Sequence, residues 1–306
     1  MPCESGSSSA TLPEGCNLCD LGLDPCRVRR ITLMRSEYAS QLFRVEYAEN
    51  SFVLKWFKDP SRSTEGRCYD LLRALGVPTL PVCGRTDQSL LLEDLATSAH
   101  RRLAEETDVE RPETGFSVAR WYLSLHEAGR KLLRAPNTAP QFLHREIDLL
   151  QPAGVLAIGR ALGLESHPVW SFAAEHIDRL KEAMLSMPET LNYNDFHWSN
   201  LALSRAPASR LEAIVFDYHL LGIGLAYSDC RNATGSLGKN ARAAFWETYG
   251  TTDLREAALD APAATLVTLH EALRRPVLPD WAWASVRRAE SGELERDFRL
   301  ALEICG

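Results

Sequence analysis

The residues best equipped for chemistry lie in one stretch, Tyr193-Asn194-Asp195-Phe196-His197-Trp198-Ser199-Asn200, followed further on by Val215-Phe216-Asp217. Carboxylate and amide oxygens are hard donors suited to Mg²⁺, and a separate carboxylate at the head of a loop can orient or deprotonate an attacking hydroxyl. One site could use Asp195, Asn200 and Asp217 together. Taken alone the pattern is weak, because polar loops are rich in Asp and Asn for the sake of their turns. A second signal lies upstream on Phe52-Val53-Leu54-Lys55-Trp56-Phe57. Strand alternation puts Phe52, Leu54 and Trp56 on one face and Val53, Lys55 and Phe57 on the other. Lys55 then has apolar neighbours and needs a carboxylate or an anionic ligand as partner, for which Glu65 is the candidate. Considered by itself, an edge-strand lysine reaching out to water is the plainer reading.

These residues must be positioned by elements legible in the pattern. Residues 1–26, rich in Ser, Gly, Pro and Cys without periodicity, read as a loosely ordered leader. Arg27 to Met34, Gln41 to Tyr47 and Ser51 to Phe57 read as a three-stranded meander turned at Glu49-Asn50. A helix start at Asp59-Pro60 leads into Glu65, Tyr69, Leu72 and Leu75 at helical spacing, stopped by Gly76-Val77-Pro78. Two short strands follow, Pro81 to Gly84 and Ser89 to Leu95. The texture changes near Ala96 to Ser98, which marks a hinge between a unit at 27–95 and a mainly helical one at 96–306. There Val118, Trp121, Tyr122, Leu125, Leu132 and Leu133 form one apolar stripe, and Ala173, Ile177, Leu180 and Met184 another. Short β-like runs at Leu191–Tyr193, Leu201–Leu203 and Ala213–Phe216 carry the chemical residues, and helices resume at about Asn240.

Composition narrows the classes. The 306 residues are about two domain lengths at ~150 residues each. With 45% hydrophobic and 25% charged residues and a mean hydropathy of -0.20, the chain reads as globular, and no apolar run approaches a membrane span. The net charge of -7, without a Lys/Arg stripe, argues against nucleic acid as partner and suits a cationic ligand. From Ala96 onward there are 28 acidic and 23 basic residues, so 5 of the 7 excess negative charges lie in the second part. The start of the chain has neither the basic nor the apolar segment of a signal peptide, which predicts a cytoplasmic protein. Cys3, Cys16, Cys19 and Cys26 crowd that start, with Cys16 and Cys19 in a CxxC pair. Without a second pair, free thiols are favoured over a structural zinc site.

Taken together, Leu54-Lys55-Trp56, Glu65 with Tyr69 and Leu71-Leu72, Gly76-Val77-Pro78, Leu91-Leu92-Glu93-Asp94-Leu95, Leu125-His126, Asn194-Asp195 with Asn200, Phe216-Asp217 and Ser228-Asp229 follow one another as in kinases. From Arg27 to Asn232 the chain resembles the aminoglycoside phosphotransferase and choline kinase-like small-molecule kinases. The resemblance implies an α+β, two-lobed protein-kinase-like fold, with a small antiparallel five-stranded N-lobe carrying one helix and a larger helical C-lobe. It implies that Lys55 pairs with nucleotide phosphates and with Glu65, that Asp195 is the catalytic base, and that Asn200 and Asp217 hold Mg²⁺. Backbone groups of Glu93, Asp94, Leu95 and Ala96 would meet the base of ATP, or of GTP. Two departures stand out: Tyr193 and Asn194 replace the usual His and Gly before the catalytic Asp, and the loop Arg35 to Ser40 lacks glycine.

The implied activity is ATP- or GTP-dependent O-phosphorylation of a small hydroxylated molecule, with a cationic acceptor such as an aminoglycoside favoured by charge. The alternative is a nucleotide-binding pseudokinase acting as a regulatory module, against which the full set Lys55, Asp195, Asn200 and Asp217 speaks. A protein kinase is disfavoured, since no Ala-Pro-Glu follows Asp217. Oligomeric state is not legible. His126 reads as a satisfied core residue, for which the resemblance suggests a bracing role, and Asp229 as a loop-bracing carboxylate. His197 and His219 receive no ligand role beside a Mg²⁺ site. Gly222-Ile223-Gly224 is too short for a dinucleotide fingerprint, and Trp281 and Trp283 are expected in the core rather than in an aromatic cation site.

Overall fold

Three consecutive strands, β1 (Val28–Ser36), β2 (Ser40–Tyr47) and β3 (Asn50–Phe57), pair antiparallel in the computed structural model, which describes residues 10–37, 39–59, 63–134 and 139–304. Cys3 and the Pro60 helix start lie outside the described residues. The meander forms where β-branched and aromatic residues alternate, and Ala48 takes a left-handed φ of 49° at its second turn. Helix α1 (Glu65–Ala74) follows and ends where Gly76 adopts φ 76° ahead of Pro78. Strands β4 (Val82–Arg85) and β5 (Ser89–Glu93) complete a five-stranded sheet in the order β1-β2-β3-β5-β4.

The remaining elements, in chain order, begin with β6 (Arg101–Leu103) and helix α2 (Pro112–Leu133), followed by α3 (Pro152–Ala161) and α4 (Pro168–Leu185). Strands β7 (Thr190–Asn192), β8 (Leu201–Ser204), β9 (Ala213–Val215) and β10 (Gly222–Gly224) come next. Helices α5 (Ala226–Ser236), α6 (Lys239–Tyr249), α7 (Leu254–Leu273), α8 (Trp283–Glu290) and α9 (Glu293–Ile304) close the chain. Among the described residues no helix is long and apolar enough to cross a membrane.

Two compact units emerge. The first takes residues up to Trp121 with Asp195–Leu220 and Ser236–Phe245; the second takes Tyr122–Asn194, Leu221–Gly235 and the chain from Trp246 on. Neither ends at Ala96, where the sequence texture changes, because the returning segment Asp195–Leu220 packs with the first unit. In that unit β6, β8 and β9 form a second small sheet, with Arg101 opposite Ser204 and Leu201 opposite Val215. In the second unit β7 pairs with β10, and α3, α4, α7, α8 and α9 bury a core that includes Ile158, Trp170, Ile177, Leu259, Leu266 and Phe298.

Two expectations are corrected. The described part of the leader is not loose: Leu18, Leu21 and Leu23 are buried against Phe43, Val45, Leu54, Trp56 and Leu91 on one face of the five-stranded sheet. Two short 3₁₀ turns, Leu18–Leu21 capped by Asn17 and Pro25–Arg27 capped by Asp24, give those leucines their direction without a helical or strand period. Gly84 is required beneath them, since a Cβ there would lie 2.3 Å from the Leu21 carbonyl oxygen. Trp281 and Trp283 are not core residues; they are 49% and 47% exposed, and the Arg275 guanidinium sits 5.5 Å above the Trp281 ring.

Because Leu21 fills a buried gap over the sheet, Leu21→Ala should lower stability by about 2–4 kcal/mol. Urea unfolding measures this, and a midpoint equal to that of the native protein would show the segment contributes nothing.

Candidate active site

Lys55 leaves β3 on the face opposite Leu54 and Trp56, and its Nζ donates to Glu65 Oε2 at 2.6 Å and to Asp217 Oδ1 at 2.7 Å. The first turn of α1 supplies Glu65, and the end of β9 delivers Asp217. Lys55 and Glu65 are 8% and 1% exposed, so each charge depends on the other. Burial alone would push the ammonium down, but the charges of Glu65 and Asp217 overcome it and keep Lys55 protonated. Burial likewise opposes the Asp217 charge, and Lys55 with His219 reverses that, holding the carboxyl below its ordinary range. Burial pushes Glu65 up, and its Oε1 has no hydrogen-bond partner among the described residues.

Asp195 opens the loop that Asn200 closes. A single 3₁₀ turn, Trp198–Asn200, brings the Asn200 side chain back, and its Nδ2 donates to Asp195 Oδ2 at 3.1 Å and to the Asp195 carbonyl at 3.3 Å. Burial holds the Asp195 carboxyl above its ordinary value, the reverse of Asp217. Asp217 itself adopts φ 69°, in the left-handed region. Its neighbour Tyr218 clamps it there, packing on Tyr69 at 4.6 Å and stacking parallel to Trp121 while its hydroxyl donates to the Val215 carbonyl.

His219 went unassigned in the sequence, yet its Nδ1 lies 2.8 Å from Asp217 Oδ1 and must donate to that carboxylate. Burial works against its protonation, but Asp217 raises its pKa above the ordinary imidazole value. The only signal available was its place two residues after Asp217.

In the second unit, Asp229 accepts hydrogen bonds from the backbone N–H of Tyr193 and of Asn194, at 2.8 and 2.9 Å, the two residues that precede Asp195. His126 Nε2 donates to Asp229 at 3.1 Å, which leaves Nδ1 to accept from the Tyr249 hydroxyl at 2.6 Å. His126 is thus satisfied and, through Asp229, braces the backbone of Tyr193 and Asn194. Asn194 adopts φ 67°, a left-handed conformation that Asn is among the few side chains to tolerate.

The Glu93–Ala96 stretch spends most of its polar groups on itself. Asp94 accepts from Arg44 Nε and Ser51 Oγ, each at 2.7 Å, and from the Ala96 N–H at 3.0 Å, while Glu93 accepts from Ser98 Oγ at 2.5 Å. The Asp94 and Glu93 side chains are therefore structural, and a base would be met by backbone there.

The donors fit Mg²⁺. Asn200 commits Nδ2 to Asp195 and keeps its Oδ1, and Asp217 uses Oδ1 for Lys55 and His219 while Oδ2 is left for a cation. Two protein oxygens are what Mg²⁺ takes when water and phosphate complete its octahedron.

The sequence model of the APH phosphotransferase enzyme family matches residues 30–266. No curated protein sequence matches the chain. Among solved structures, choline kinase LicA from Streptococcus pneumoniae is similar at 11% identity with a TM-score of 0.62, covering 88% of this chain and 94% of its own. A spectinomycin phosphotransferase in complex with ADP and spectinomycin aligns at 12% identity and TM-score 0.54, covering 92% of this chain and 95% of its own. The GDP and kanamycin complex of APH(2")-IIia aligns at 11% identity and TM-score 0.57, covering 88% and 94%. The shared architecture is the protein-kinase-like fold, a five-stranded antiparallel N-terminal sheet with one helix and a largely helical remainder.

The opposite electrostatics of the two aspartates give opposite stability effects. Asp217, held low, stabilises the fold above the unfolded value of ~3.9 and loses that contribution as pH falls through its folded value. Asp195, held high, costs stability as pH rises through ~3.9 toward its folded value. At pH 7, Asp195→Asn should therefore raise the urea midpoint, whereas Asp217→Asn should lower stability by about 1–3 kcal/mol by stripping Lys55 and His219 of a charged partner. Shifts of the same sign in both variants would contradict the assignment.

Proposed function

The chain belongs to the APH phosphotransferase enzyme family and is a small-molecule kinase, and we propose that it transfers the terminal phosphoryl group of ATP or GTP to a hydroxyl of a small amine-bearing acceptor such as an aminoglycoside. The observation that carries this reading is Lys55 held between Glu65 and Asp217, with Asp195 and Asn200 paired within the same unit.

Each group has a distinct task. Lys55 is pre-aimed by Glu65, and on nucleotide binding its ammonium exchanges Asp217 for phosphate oxygens. Asp217 is then free to join Asn200 as a cation ligand. Mg²⁺, when bound, supplies neutralising charge to the phosphate oxygens. Asp195, its basicity raised by burial, accepts the proton of the attacking hydroxyl and orients it. His219 occupies Asp217 Oδ1 and would leave Oδ2 for the cation. The nucleotides in two similar structures, ADP in one and GDP in the other, support a purine nucleotide as co-substrate and leave ATP and GTP both as donors to test.

A panel of amines, sugars and antibiotics, each with ATP or GTP and Mg²⁺, identifies the acceptor by phosphate transfer. With that acceptor, Asp195→Asn should keep nucleotide affinity while kcat falls by about 10²–10⁴. Asp217→Ala should lose Mg²⁺-dependent nucleotide binding and transfer together. Unchanged turnover in Asp195→Asn would remove it from the catalytic role, and nucleotide binding without transfer to any compound would favour the regulatory module.

A further inference from the structure

Glycine-rich turns hold phosphate with main-chain N–H groups left free for it. The glycine-free turn between β1 and β2 uses its own differently. The Glu37 N–H donates to the Ser40 carbonyl at 2.9 Å, and the Lys58 N–H ties the turn to the neighbouring strand by donating to the Ala39 carbonyl at 2.8 Å. What the turn presents outward is side chains. Lys58 follows the last residue of β3, so strand alternation no longer sets its direction. Its Nζ donates to the Glu37 carbonyl at 2.5 Å and to Ser36 Oγ at 3.1 Å. Gln41 Nε2 is a second donor to Ser36 Oγ, at 3.4 Å.

These bonds leave donors unspent. An ammonium carries three hydrogens and a hydroxyl one. Lys58 gives two of its three to the turn, and Ser36 Oγ accepts from two nitrogens while its own hydrogen has no acceptor among the described residues. Glu37 is the only acidic residue from Arg35 to Ser40, and its carboxylate is paired with Arg35. Lys58 therefore has no carboxylate partner among the described residues, and both it and Ser36 are exposed. A charged donor and a neutral one, held side by side with no acid between them, make a site for an anion.

The register of β3 says which anion. Phe52 pairs with Glu93, where the stretch that would meet the base begins. Lys55 stands three residues further along the strand, and Lys58 three residues beyond that. At ~3.3 Å per residue each step is about 10 Å. Base, Lys55 and Lys58 thus follow one another along one strand, in the order of a nucleotide's base, inner phosphates and last phosphate. We propose that Ser36 and Lys58 bind the terminal phosphate of the nucleoside triphosphate, a hydroxyl and an ammonium standing in for the amides of a glycine-rich loop. The proposal rests on the phosphotransferase reading above and assigns the co-substrate two contacts which that reading does not contain.

Calorimetric titration of the full chain with Mg²⁺ and either ADP or the non-hydrolysable β,γ-imido analogue of ATP tests this, with the guanine counterparts of both run alongside. Lys58→Met, unbranched and of similar length, should weaken the triphosphate analogue about tenfold, the worth of one hydrogen bond to a charged group, and leave the diphosphate within about twofold. Ser36→Ala should act in the same direction. Lys58→Arg, which keeps the charge and the N–H donors, should retain the native ratio of the two affinities. If Lys58 only held the turn in shape, its loss would weaken both nucleotides alike, so the ratio separates a phosphate contact from a scaffold. A native chain that binds no nucleotide would refute the phosphotransferase reading itself. Native binding of both, with the ratio unchanged in Lys58→Met, would overturn this pair alone.

Discussion

An ammonium taken out of water must find negative charge, and Lys55 finds two carboxylates within 2.7 Å. That requirement ties together a strand, the first turn of a helix and the turn after a second strand. A slip of one residue in β3 would carry Lys55 to the face where Leu54 and Trp56 pack and leave Glu65 buried without a counter-charge. Breaking such a pair costs about 3–5 kcal/mol, so the register of the sheet and the start of α1 are fixed by the same electrostatics that aim the lysine. The aromatic clamp of Tyr69, Tyr218 and Trp121 serves the third member, holding the Asp217 backbone where its carboxylate can reach Nζ.

What was legible in the sequence followed local rules. Alternation along β3 set Lys55 apart from Leu54 and Trp56, and helical spacing placed Glu65 in a helix read as starting at Asp59-Pro60, which made Glu65 the candidate partner of Lys55. Asp229 could be read as a bracing carboxylate and His126 as a satisfied core residue, the bracing role of His126 coming only from the family resemblance. What was not legible depended on irregular geometry. Leu18, Leu21 and Leu23 pack through two 3₁₀ turns that have no period to detect, and α3, with Gly154 and Gly159 in ten residues, carries little helical signal. Trp281 and Trp283 looked like core on residue type alone, and only their place around a short turn before α8 leaves them exposed. His219 owes its role to the backbone turn at Asp217, which no composition rule reports.

The two non-glycine residues with left-handed backbone near the site, Asn194 and Asp217, share a logic. Each sits next to a strand end and is held by a neighbour's hydrogen bonds, Asn194 by Asp229 and Asp217 through Tyr218 and its bond to Val215. Strain of about 1–3 kcal/mol at such positions persists only where the surroundings over-determine it. A glycine is therefore not required at 194: the tolerance of asparagine for the left-handed region takes over from the absence of a Cβ.

The similarity to the phosphotransferase family begins at residue 30, yet the leucines at 18, 21 and 23 belong to the same apolar cluster as Phe43, Val45 and Trp56. A border drawn where the likeness to relatives starts would pass through the middle of a hydrophobic core and leave one face of a five-stranded sheet bare. The start of the family match and the edge of the packed core thus differ here. The part of the chain that precedes the family match behaves as a built-in cover, and a protein cut at that border would present to solvent the kind of flat apolar surface on which sheets associate.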